Sequence, residues 1–148
     1  MPTKTELAYM AGFVDGDGSI TLHQNVNPKC RDGFTWVVSL RVQITTKEPL
    51  PLFASSFGGK ICPFYRKSRG RQKDLLCWVV VRKKAMRALQ ALLPYLRLKS
   101  DRAALAIEAQ MLLNTRRQIG KNIWSNVPLR VEEIHRQLKI LNHRGKSV

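Results

Sequence analysis

Among the ten acidic residues of this chain, Asp15 and Asp17 stand two positions apart and are each followed by a glycine, in the run Met10-Ala11-Gly12-Phe13-Val14-Asp15-Gly16-Asp17-Gly18. Carboxylates gathered in a small volume are hard oxygen ligands for a divalent cation, which can activate water and polarise a phosphate. Taken alone, Asp-Gly-Asp-Gly reads more readily as a glycine-rich helix end with two solvated turn carboxylates. A calcium-binding EF-hand loop is excluded, because Ile20 and Val26 occupy the positions that need glycine and glutamate. The three histidines (His23, His135, His143) show no metal-ligand spacing, and Cys30, Cys62 and Cys77 are too few and too scattered for a zinc site or a disulfide framework. Any hydrolytic chemistry therefore falls to carboxylates.

The element that positions Asp15 and Asp17 is a helix. Thr3 and Glu6 fit a capping box, and Leu7, Met10, Ala11 and Val14 follow at the spacing of one apolar face. Ala8, Gly12 and Gly16 form a second stripe, four residues apart and all small. A glycine inside a helix costs about 1 kcal/mol relative to alanine. Two of them call for a reason, and close approach of a second helix supplies one. Gly18 is expected in the left-handed conformation that commonly ends helices. A helix C-terminus is the negative end of the macrodipole, so carboxylates there need a cation. Two copies packed through the stripe would bring four carboxylates together, a cluster suited to divalent metal.

Beyond Gly18 the period changes to two. Ile20, Leu22 and Val26 take one face of a strand, and Ser19, Thr21, His23, Asn25 and Asn27 the other. Residues 27–33 read as a turn and 36–46 as the returning strand, with Val38, Leu40, Val42 and Ile44 inward and Ser39, Arg41, Gln43 and Thr45 outward. A solvated sheet face is the ordinary reading of such alternation. These outward side chains, however, are short hydrogen-bonding groups plus arginine, the types that read base edges in a major groove. A short helix at Leu50–Phe57 ends at Gly58-Gly59. A second hairpin follows over about 60–67 and 74–82. Its connection holds Arg66, Arg69, Arg71 and Lys73, a candidate phosphate clamp. Leu75–Val81 is apolar throughout, which leaves its faces unassigned and puts Trp78 in the core. Helices are expected at 83–93, broken by Pro94, and from Ser100 or Asp101 as cap to about residue 113. After a basic connection, a last helix docks through Val131, Ile134, Leu138 and Leu141, with His135 and His143 solvated.

Net charge is +16, from 26 Lys+Arg against 10 Asp+Glu in 148 residues. That balance points to a polyanion, most simply nucleic acid. No apolar run reaches transmembrane length and no signal peptide opens the chain, so no membrane partner is expected. Reduced cysteines place the protein inside the cell, in cytoplasm, nucleoid or organelle matrix, and not among secreted proteins. A 44% hydrophobic composition suits a single domain over 1–148, with a core of about 3–113 and a helical extension of about 114–148.

The run from Met10 to Gly18 resembles the motif of the LAGLIDADG homing endonucleases. The element order resembles that family's α+β core (αββαββα, with a saddle-shaped antiparallel sheet), here with extra C-terminal helices. The single motif resembles the subfamily that works as a homodimer. What the resemblance implies is a site-specific endodeoxyribonuclease that makes double-strand breaks at a long pseudo-palindromic site of intron-homing type. Its motif helices would pack through Ala8, Gly12, Asp15 and Gly16, Asp15 being more a structural residue of the motif than a ligand. Mg²⁺, for which Mn²⁺ or Ca²⁺ can substitute, would be held by Asp17 with the Gly16 carbonyl. Lys99, after Leu96-Arg97-Leu98, matches a basic residue near the scissile phosphate. Double-stranded DNA would be read by Thr21, His23, Asn25, Asn27, Ser39, Arg41 and Gln43. Where relatives carry a water-positioning Gln and a nearby Arg, this chain has Thr46 and Leu50. Thr46 can hold water through its hydroxyl, whereas the arginine's part falls to Lys47 or Lys99 or goes unfilled. An RNA maturase acting on intron RNA, or a non-catalytic DNA-binding regulator, are the rival readings on the same scaffold.

Overall fold

The computed structural model describes residues 2–30, 32–64, 75–116, 118–120 and 123–143. Helix α1 (Lys4–Asp17) starts where the Thr3 hydroxyl accepts the Glu6 N–H at 3.1 Å, one of the orphan donors of a first helical turn. It leads into the hairpin β1 (Gly18–Val26) and β2 (Phe34–Ile44). The short helix α2 (Leu50–Phe57) follows, with Pro51 in its first turn, where a missing N–H costs nothing. Gly58 and Gly59 stop it at φ +74° and +88°, values that a side chain would strain. The second hairpin is β3 (Lys60–Phe64) with β4 (Leu75–Val81), so Arg66, Arg69, Arg71 and Lys73 lie outside the described residues.

The four strands form one antiparallel sheet in the order β1-β2-β4-β3. Helix α3 (Arg82–Leu92) ends in a 3-10 turn (Leu93–Tyr95) around Pro94, and α4 (Ser100–Asn114) follows. The connection after α4 is not only a basic loop. Its backbone forms a small hairpin, β5 (Gln118–Gly120) with β6 (Ile123–Trp124), before α5 (Leu129–Asn142). None of the helices among the described residues is long and apolar enough to cross a membrane.

The register assigns the sheet faces that β4 alone hid. Direct partners share a face, so Ile20, Leu40 and Val80 form one inward row and Gly18, Val42 and Trp78 the next. Trp78 is fully buried against Phe53, and its indole N–H donates to the Gly58 carbonyl at 2.8 Å. Met10, Ala11 and Val14 of α1, Leu89 and Leu92 of α3, Ala103 and Ala106 of α4, and Ile134 and Leu138 of α5 join the same core. Val26 departs from the expected alternation. It is 87% exposed, because the ribbon overhangs the core beyond Leu22.

The end of α5 is tied down by polar bonds. Arg102, 7% exposed, donates to the Leu141 carbonyl at 2.8 Å, and the Asn142 amide donates to the Ile20 carbonyl at 2.9 Å. His135 is not simply solvated. Its ring meets Trp36 edge-on at 5.0 Å, and burial together with Lys139 lowers its pKa, Glu132 opposing.

Candidate active site and nucleic-acid interface

Asp15, Asp17 and Lys99 share the C-terminal end of α1 and do three different things there. The Asp15 carboxylate turns toward its own chain. One oxygen accepts the Arg97 N–H at 2.9 Å, and the other accepts those of Leu98 and Lys99 at 3.1 and 3.0 Å. These amides lead into α4, whose own cap position, Lys99, offers no side-chain cap bond. Asp15 therefore supplies the anion for that helix start, where positive dipole and orphan donors coincide. Ser100 and Asp101 do not cap it as expected; Asp101 accepts the N–H of its neighbour Arg102 at 2.7 Å. Asp15, expected at the dimer interface beside Gly12 and Gly16, commits both its oxygens within the chain.

Lys99 returns the exchange. Its ammonium, 6% exposed, donates to the Val14 carbonyl at 3.1 Å and to the Gly18 carbonyl. The cation that the carboxylates at the end of α1 called for thus comes from the start of α4. Gly18 is not left-handed as anticipated; it sits at φ −84° and ψ 155°, ordinary extended backbone. Its glycine is required by space: a Cβ there would lie 2.6 Å from the Val14 carbonyl oxygen and 2.7 Å from its Cα.

Asp17 and Gly16 are exposed, and the Asp17 carboxylate takes part in none of the hydrogen bonds or ion pairs of the described residues. Among those residues no cluster of three or more His, Cys, Asp or Glu side chains stands ready for a metal ion. The small-residue stripe is equally open. Ala8, Gly12 and Gly16 are exposed, and a Cβ on either glycine would meet no atom within 4 Å. Among the described residues, nothing in the packing requires glycine at these two positions. Beside the stripe, Tyr9, 49% exposed, packs edge-on against Phe13 at 5.0 Å. Sequence reasoning passed over this pair, although its i, i+4 spacing next to three small residues was visible.

Thr46 is exposed in the loop after β2. The partnership of Gly18 with Val42 puts that end of β2 alongside the end of α1, the same end of the sheet as Asp17. Lys47 is exposed in the same loop, whereas Leu50 is 1% exposed and belongs to the core.

The face of the sheet opposite the core carries most of the expected recognition residues in rows. Ser19 pairs with Arg41, Arg41 with Val79, and Val79 with Lys60. Thr21, Ser39 and Val81 make the next row, and Gln43, Cys77 and Cys62 another. Asn25 lies opposite Thr35, and His23 opposite Val37. Two expectations need correction. Ser39, in a central strand, is only 4% exposed. Asn27 lies beyond β1, where its side-chain oxygen accepts the Lys29 N–H at 3.1 Å in a local turn. Lys60 and Val79 are additions that β4's uniform apolarity concealed. His23 feels this setting: burial, then the charges of Arg41 and Arg82, hold its pKa below the usual imidazole value. Cys62 and Cys77, far apart in sequence, are direct cross-strand neighbours, both free thiols, and burial raises the Cys77 pKa.

No protein-family model matches the chain. The DNA endonuclease I-CreI of Chlamydomonas reinhardtii is 33% identical to it over 105 residues, 71% of this chain and 62% of that protein. The homing endonuclease I-CvuI, solved in complex with the I-CreI target, superposes with a TM-score of 0.72 at 24% identity, over 98% of this chain and 87% of that one. The chain spans 62% of the length of that curated relative and has the fold of these solved homing endonucleases. An archaeal intron-encoded homing endonuclease, I-Vdi141I complexed with DNA, shares the fold with a TM-score of 0.70 at 16% identity, over 95% of this chain and 86% of that one. The run that resembles the LAGLIDADG motif is the C-terminal half of α1, from Met10 to the β1 junction at Gly18.

Proposed function

We propose that this chain is one subunit of a homodimeric homing endonuclease that cuts both strands of a long, pseudo-palindromic duplex DNA site by divalent-metal-dependent phosphodiester hydrolysis. The observation that carries this reading is the end of α1. An open ridge of Ala8, Gly12 and Gly16 runs into an exposed Asp17 carboxylate, while Asp15 and Lys99 lock that end to the start of α4.

Two copies joined along the ridge would bring two Asp17 carboxylates together. The donor set suits Mg²⁺, which takes one or two carboxylates plus phosphate oxygens and keeps several waters. Asp17 offers the carboxylate, and Gly16 offers a carbonyl in the last helical turn, where the helix has no further N–H to bond it. A divalent ion held by Asp17 and the Gly16 carbonyl would supply an activated water and charge stabilisation for the leaving oxygen. The chain's own residues supply position and charge. Asp15 fixes the turn that carries Lys99, and the Lys99 ammonium, bonded to the carbonyl of Gly18, the residue after Asp17, would offset charge developing on the phosphate. Thr46 has a hydroxyl at the same end of the sheet to orient water. The rows built on Arg41, Gln43, Thr21, His23 and Asn25 face the major groove, where arginine selects guanine and Asn or Gln selects adenine.

The test is cleavage of a randomised duplex library with magnesium or with EDTA, by the parent chain and by Asp17→Asn. Magnesium-dependent double-strand cuts at one pseudo-palindromic site, absent in the variant while binding persists, are expected. Cleavage by Asp17→Asn equal to the parent would overturn the assignment.

A further inference from the structure

Away from the end of α1, the start of β2 meets the first turn of α3 and the last turn of α4 around a cleft of about 300 Å³. Its composition is unusual for a surface recess. Arg82, Lys83 and Arg116 line it against a single carboxylate, Asp32, and the edge-to-face pair Phe34 and Trp36, with ring centroids 5.7 Å apart, adds an aromatic wall. Arg82 and Lys83 open α3, an 11-residue helix whose first turn has no side-chain cap and no acidic residue. Its first amides and its dipole therefore add to the attraction for an anion.

A second observation concerns Gln110, which also lines the cleft. It is 5% exposed, and its carboxamide oxygen is buried without a hydrogen-bond partner. The orientation of the amide is fixed by a chain of bonds. The Gln110 amide N–H donates to the Asn114 side-chain oxygen at 2.9 Å, and the Asn114 amide N–H donates to the Met86 sulfur at 3.9 Å. Turning Gln110 over would set acceptor against acceptor unless Asn114 also turned and gave up Met86. The orphan is thus an acceptor, and a buried acceptor left unpaired is costly.

The two observations together narrow the ligand. A backbone phosphodiester would satisfy the cations but has no proton to offer Gln110, and inorganic phosphate, which keeps a P–OH, leaves the aromatic wall without a partner. A neutral amide or alcohol would satisfy Gln110 and waste the cations. We propose that the cleft binds a nucleotide unit whose base carries an exocyclic amine, the phosphate meeting Arg82, Lys83 and Arg116 and the amine donating to Gln110 against the aromatic wall. Arg116 already gives its Nε–H to the Ser125 carbonyl at 3.0 Å, which leaves its terminal nitrogens for the phosphate. A base stacked in duplex DNA cannot enter such a recess, so the unit is either a free mononucleotide or an unpaired nucleotide of a strand. This site is independent of the endonuclease reading and stands or falls without it.

Calorimetric titration of the full chain, with no target DNA present, tests the site with AMP, purine riboside 5′-monophosphate (the same nucleotide without the amine) and inorganic phosphate. AMP is expected to bind about three- to tenfold tighter than the des-amino nucleotide, one hydrogen bond to a buried acceptor, and phosphate weaker than both. Gln110→Met removes the acceptor at similar volume and should erase the preference while phosphate binding persists. Lys83→Ala, an exposed position, should weaken all three ligands. A single-stranded adenine tetranucleotide distinguishes the sources: tighter binding than AMP marks an unpaired strand nucleotide, and equal or weaker binding a free one. The site is refuted if AMP fails to bind, if AMP and phosphate bind equally, or if Gln110→Met keeps the preference for AMP.

Discussion

Replacing Asp15 by asparagine separates the structural carboxylate from the reactive one. In the parent, one Asp15 oxygen accepts the Arg97 N–H and the other those of Leu98 and Lys99. Asparagine keeps one oxygen, which can serve Leu98 and Lys99, but presents an amide N–H to Arg97, donor against donor. Hydrogen bonds to an ionised acceptor are worth about 1.5–3 kcal/mol each, and the negative charge at the start of α4 adds about 0.3–1 kcal/mol. The site is half-buried, and a few tenths return because a charge leaves the negative end of α1. The expected loss is therefore about 2–3 kcal/mol, a fall of about 5–10 °C in melting temperature for a chain of this size. Differential scanning calorimetry of Asp15→Asn and Asp17→Asn side by side reads it. Asp15→Asn should melt early, and Asp17→Asn, whose carboxylate is exposed and unbonded, should melt with the parent. An unchanged melting temperature for Asp15→Asn would refute the helix-start role and return Asp15 to the list of metal ligands.

Gly18→Ala should destabilise by about 2–3 kcal/mol in a urea titration, because the new methyl meets Val14 backbone at 2.6–2.7 Å rather than a side chain that can yield. Gly12→Leu has open space within its own chain, so the fold should survive or gain from leucine's better helix propensity. Sedimentation velocity should nonetheless show the dimer lost; an intact dimer would rule out packing through this ridge. The pKa values of His23 and His135 are both lowered in the folded chain, with burial the first cause. The unfolded chain therefore takes up protons first as pH falls from above 6.5, and the stability these residues contribute, complete above that value, is lost as pH drops through their folded pKa values. Melting curves between about pH 7 and pH 5 should fall less steeply for the double variant His23→Gln/His135→Gln than for the parent.

The fold was legible wherever one face of an element met the core and the other met water. The strands of the first hairpin up to Leu22 and the apolar stripe of α5 could be read from period, and α2 from its flanking prolines and glycines. Strand β4 could not, because Leu75–Val81 is apolar on both faces, and only its register with β2 puts Trp78 inward and Val79 outward. The β5–β6 hairpin was equally hidden, since strands of three and two residues are too short to show any period.

The site was legible in part, and the division has a physical cause. The two carboxylates and the small stripe belong to one helix, where spacing along the chain is spacing in space. Sequence also made plain that charge at the end of α1 needed a cation. Which cation answers lies 84 residues away: the Asp15 carboxylate takes the Lys99 N–H, and the Lys99 ammonium takes carbonyls on either side of Asp15. No periodicity encodes an exchange between a helix end and a helix start so distant in the chain. The exchange also resolves the ambiguity of Asp-Gly-Asp-Gly. With Asp15 satisfied by amides and the carbonyls satisfied by Lys99, Asp17 is left, among the described residues, as a carboxylate without a hydrogen bond or ion pair, at the end of a ridge that none of those residues covers.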